Sequence, residues 1–111
     1  MITYKIVEKV DTNKYKYLFH ERKNMFTNGS ILIAKKKMVY ESYDKKTNKK
    51  KIYLSGIHVI QTEELCRKYL NRFKDKSNKT IIMCNATDWH KKPRGNPGVL
   101  LANKVKIIGE I

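Results

Sequence analysis

Only one stretch of this chain carries the periodicity of a helix. From Thr62, the sequence TEELCRKYLNRFK places Leu65, Cys66, Tyr69, Leu70 and Phe73 at the i, i+3, i+4 spacing of a buried stripe. Thr62 is suited to cap the helix, and Glu63 and Glu64 fall in the first turn, where the helix dipole favours acids. Arg67, Lys68, Arg72 and Lys74 fall mainly off the stripe. One helix over about 62–74 cannot enclose a core by itself, so strands must supply the remainder.

Strand signals are spread on both sides of it. ITYKIV near the start alternates Ile2, Tyr4 and Ile6 with polar residues, and YKYLF over 15–19 continues after the turn material DTN. The polar stretch from His20 to Ser30, ending at Asn28-Gly29, reads as a loop with a tight turn. ILIA and MVYESY follow as strands, and 38–43 with 51–55 reads as a hairpin with a long basic tip. KIYLSGIHVI has strand character, TIIMCNA reads as a central strand, and VLLA and KVKIIGEI as the closing ones. The order predicts a single α+β domain over 1–111, a mostly antiparallel sheet with one helix packed on it.

Charge is what most restricts the function. Twenty-five Lys and Arg against ten Asp and Glu give +15 in 111 residues, and residues 35–51 alone hold eight lysines and two acids, a local +6. Such a field opposes compaction unless a polyanion neutralises it. Part of the excess matches the Lys-, Asn- and Ile-rich composition that an AT-rich genome encodes. Nucleic acid, a phosphorylated or nucleotide ligand, and an acidic protein surface are the partner classes it indicates. The N-terminus does not read as a signal peptide, and no apolar run approaches about 18 residues, so a soluble intracellular protein without a membrane partner is expected. Cys66 and Cys84 are too few for a disulfide framework or a closed zinc site and read as buried, inert thiols.

The stretch DWHKKPRGNPG over 88–98 reads as a stiff basic loop. Trp89 offers a stacking surface beside His90, Lys91, Lys92 and Arg94, while Pro93 and Pro97 stiffen the backbone. Lys35, Lys36, Lys37, Lys49 and Lys50 are further polyanion-binding candidates. The alternative reading of 88–98 is a solvated connector with Trp89 packed on the core. Strand tyrosines such as Tyr15, Tyr17 and Tyr40 read first as sheet filling and second as base-stacking groups.

Signs of catalysis are sparse. No nucleophile triad, phosphate loop or metal-ligand spacing can be quoted, and neither a metal nor a cofactor is expected. His58 and His20, with Tyr53 or Glu41, would be the acid–base groups of a nucleotide-directed transferase or nuclease if they shared a cleft. The residues favour binding over catalysis, with an inhibitor docked on an acidic host protein as a third reading.

YLSGIHVIQTEELCRKYLNRF, with the segment from Lys79 to Ile108, resembles small phage-type, virus-encoded proteins of no assigned activity. Tyr53, Gly56 and His58, then Tyr69, then Leu101 and Ala102 carry the resemblance; Ile57 stands where those proteins more often have an aromatic residue. The resemblance implies a small α+β protein acting in the host cytoplasm, host-directed or opposing a defence, and it assigns no catalytic residue.

Overall fold

A computed structural model describes residues 1–18, 24–35, 38–40, 52–92 and 97–111. Nine strands and one helix are found among them. The strands are β1 (Ile2–Asp11), β2 (Lys14–Lys16), β3 (Met25–Thr27), β4 (Ile31–Ile33), β5 (Met38–Tyr40), β6 (Ile52–Leu54), β7 (Ile57–Ile60), β8 (Lys79–Lys91) and β9 (Val99–Glu110). The helix, α1, spans Glu63–Asn71. The α+β expectation holds in a sheet-dominated form.

The main sheet is antiparallel and curls into a small barrel. β8 pairs with β1 from Lys79 to Asn85 on one side and with β9 from Ile82 to Lys91 on the other. β7 pairs with β9 over its whole length and meets β1 at Tyr4 opposite Ile60, so β1, β8, β9 and β7 form a ring. β2 and β3 extend from β1, and β4 lies against β9. Gly29 N–H donates to the Ile107 carbonyl and Ile107 N–H to the Ser30 carbonyl, which ties the β3–β4 turn to β9. β5 and β6 pair separately, Val39 opposite Tyr53, in the expected hairpin.

Alternation decides what is buried. Val7 from β1, Tyr15 from β2, Phe26 from β3, Val59 from β7, Ile82 and Cys84 from β8, and Val105 and Ile107 from β9 fill the core. The Tyr15 and Phe26 rings lie 5.9 Å apart, and the fully buried Tyr15 hydroxyl donates to Asn28 Oδ1 at 2.9 Å. That bond satisfies a polar group which would otherwise cost about 1–3 kcal/mol to bury. Phe26 corrects the reading of 20–30 as a loop: β3 is three residues long, too short for period two to register in a polar context.

Helix α1 packs on β1, β7 and β8. Its Thr62 cap accepts from Leu65 N–H at 3.3 Å, as its position predicts. The helix ends at Asn71, short of the expected 74. Cys66 is buried beneath it. Tyr69 hydroxyl donates to the Pro97 carbonyl, and Leu65 presses on Gly98, whose φ of 76° only glycine adopts easily. The turn before β9 is therefore docked on the helix.

Two further departures concern β8 and β9. β8 runs through Asp88-Trp89-His90-Lys91, so the first third of the supposed basic loop is strand. VLLA and KVKII form one continuous β9. Ser55-Gly56 divides KIYLSGIHVI between the two sheets.

Lys5 is the least comfortable group in the fold. Its Nζ donates to the His58 carbonyl at 2.8 Å and lies 5.4 Å from the centre of the Tyr17 ring. Burial pushes its pKa down to about 8, against a weak pull upward from Cys84 and Cys66. The unfolded chain then binds more protons than the folded one between pH 8 and 10.5, so this group's contribution to stability rises with pH across that window. Lys5→Met is expected to be more stable than wild type at neutral pH, with the gap in Tm closing as pH rises through the window. A gap that stays constant from pH 7 to 10 contradicts the assignment.

Gly56 sits where β7 begins against β9. A β-carbon there would lie 2.9 Å from Leu101 Cβ and 3.1 Å from the Ala102 carbonyl oxygen, neither able to move without shifting β9. Gly56→Ala is expected to cost about 1–3 kcal/mol in denaturant unfolding; a loss below about 0.5 kcal/mol contradicts the tight contact.

Candidate functional site

The register of β8 and β9 holds without a slip from Cys84 opposite Ile107 to Lys91 opposite Leu100, yet the buried face changes sides once within it. Below the change, Cys84, Ala86, Val105 and Ile107 are buried, so Asn85, Thr87, Lys104 and Lys106 face outward and are exposed. Above it, Leu100, Ala102, Ile57 and Val59 are buried. Trp89 and Lys91, opposite Ala102 and Leu100, share that inner face at the barrel rim. His90, Leu101 and His58 form the opposite row across β8, β9 and β7, in which Leu101 is fully buried.

The change falls at Asp88, whose φ of 52° lies in the left-handed region. Strand residues avoid that region, and Asp is among the few side chains that tolerate it. The regular pairs on either side place Asn103 opposite Asp88. An open depression of about 200 Å³ lies at this bend, lined by Leu54, Ser55, Asp88, His90 and Asn103.

Two hydrogen bonds frame the depression. His90 Nε2 is 3.0 Å from the Leu54 carbonyl oxygen, and because a carbonyl only accepts, Nε2 carries the proton. Nδ1 is then the basic nitrogen of the neutral ring. Ser55 Oγ donates to the Lys35 carbonyl at 2.9 Å, which fixes the end of the β4 segment beside the depression. Ser55 and His90 are thus each engaged by backbone, not by one another.

From the depression the outer face continues down β9. Lys104 lies between Ile33 of β4 and Thr87 of β8, and Lys106 between Ile31 and Asn85. Ile31 and Ile33 are 52% and 72% exposed, so apolar surface flanks the two lysines. No carboxylate interrupts these rows.

The sequence candidates are distributed unevenly. His90 lines the depression, and the Lys35 carbonyl is bonded to its wall through Ser55. Trp89, 40% exposed, and Lys91 are on the opposite face from His90, and Lys92 follows the strand. Lys36, Lys37, Lys49, Lys50, Arg94, His20 and Glu41 lie outside the described residues. Tyr53 is in β6. His58 is exposed while Ile57 and Val59 are buried. Lys104 and Lys106 were not among the expected site residues, although the alternation of KVKII already marks them as one exposed row.

The cysteines take no part in this site. Burial pushes the Cys66 thiol up to about 12 and that of Cys84 up to about 11, so both stay protonated at neutral pH. Among the described residues there is no group of His, Cys, Asp or Glu able to hold a metal ion, and no helix long and apolar enough to cross a membrane.

If the left-handed turn at Asp88 is what redirects the strand, its backbone cost is measurable. Asp88→Gly is expected to be more stable than Asp88→Ala by about 1 kcal/mol, reversing the usual order for a strand position. Ala equal to or above Gly in thermal unfolding contradicts the geometry. Compared with protein-family models, curated proteins and solved structures, the chain matches none.

Proposed function

We propose that this chain binds nucleic acid as a single strand along the outer face of β4, β9 and β8. The observation that carries this reading is the shared face of Lys104 and Lys106, with Lys35 fixed beside its upper end. The chain's +15 charge supplies the long-range attraction, and these lysines supply a track for successive phosphates. Exposed Ile31 and Ile33 favour a single strand over a duplex, because unstacked bases have apolar faces to lay on them. Nothing in the reading requires chemistry: Ser55 and His90 are held by carbonyl oxygens and do not activate one another.

Binding of a fluorescently labelled uridine oligonucleotide tests this. With about three phosphates neutralised by Lys35, Lys104 and Lys106, at a single-strand slope of about −0.7 each, affinity should fall about twentyfold between roughly 50 and 200 mM salt. Lys104→Ala with Lys106→Ala should remove about two-thirds of that slope. Absence of binding at low salt, or an unchanged slope in the double variant, contradicts the proposal.

A further inference from the structure

Asp88 is out of place on a face that holds phosphates. A carboxylate on this surface repels an anion, and the Asp88 backbone is held in a left-handed conformation. Among the described residues, the exposed Asp88 carboxylate and the half-buried Asn103 side-chain amide have no hydrogen-bond or ion-pair partner in the protein. The two face each other across β8 and β9 and line the same depression, with His90 and Ser55 at its wall.

The geometry points to a pocket for one nucleobase, and its donor and acceptor pattern is that of guanine. A carboxylate only accepts, so the ligand edge opposite Asp88 must donate, and two adjacent donors use both its oxygens. Guanine presents such a pair at N1–H and the N2 amine, with the O6 acceptor next to them for the Asn103 amide. Adenine has a single amine and an unprotonated N1 on the same edge and leaves one carboxylate oxygen against an acceptor. Cytosine offers a donor only at N4. The depression, about 200 Å³ and open to solvent, has room for one base. Phosphates stay outside on the lysines, so the acid reads the base without meeting the backbone charge. The turn at Asp88 has a role in this arrangement: it falls where the sheet changes face, beside the same depression that Asn103 lines.

This inference rests on the nucleic-acid reading above, and the experiment separates the two. The probes are short uridine oligonucleotides carrying one central guanosine, inosine, adenosine or cytidine, compared by competition against labelled all-uridine strand. The guanosine strand is expected to bind about tenfold more tightly than the adenosine strand, with inosine, which lacks the N2 amine, between them. Asp88→Asn keeps a side chain that tolerates the left-handed turn; it should abolish the guanosine preference, leaving guanosine, inosine and adenosine strands equal. Lys104→Ala should weaken every probe alike. Equal binding of all central bases, or a guanosine preference that survives Asp88→Asn, overturns the pocket and leaves the lysine track standing. Failure of every probe to bind at low salt overturns both.

Discussion

The whole molecule depends on β8 serving two neighbours at once. Its first half is bonded to β1 and most of its length to β9, so Ile82 to Asn85 are paired on both sides. A strand held this way is buried on its inner face by necessity, and Ile82, Cys84 and Ala86 meet that demand with small and branched side chains. β7 completes the ring from the other side of β9, through a single pair with β1. The short strands need no independent stability: β2 lies against β1 and β4 against β9, and β3 pairs with β2.

The same strand creates the candidate site. Along β8 and β9, alternation changes side at the left-handed Asp88 without a slip in register. One consequence is that Trp89 and His90, neighbours in sequence, part company: the indole goes to the inner rim and the imidazole to the outer face. Another is that the Asp88 carboxylate and the Asn103 amide line one depression without a partner among the described residues. Local strain, unpaired polar groups and cationic rows coincide at one place, and that coincidence gives the nucleic-acid proposal its location.

Much of the fold was legible because burial imposes simple periods. The helix from Thr62 was visible through its cap and stripe, the pairing of 38–40 with 52–54 through its apolar strand runs, and the buried thiols through their apolar neighbours. The loop reading of 88–98 went astray at its first residues, because Asp, Lys, Pro and Gly dominate the stretch and conceal that Trp89, His90 and Lys91 have strand partners waiting at Ala102, Leu101 and Leu100. Pairing partners ten residues away cannot be read from local composition. Lys104 and Lys106 were hidden for the opposite reason: they looked like the polar half of an ordinary strand, and only the position of β4 and β8 beside them makes a surface. The change of face at Asp88 had no sequence signal beyond the tolerance of Asp for left-handed backbone.

The most direct test of the central claim is a map of where a nucleic acid touches the protein. Titration of an unlabelled uridine oligonucleotide into isotopically labelled protein, followed by backbone amide chemical shifts, gives that map residue by residue. The account predicts shifts concentrated at Ile31 to Lys35, Asp88 to His90 and Asn103 to Lys106, with helix α1 and strands β2 and β3 unmoved. Shifts centred on the helix or on β2 and β3, with β9 silent, would contradict it.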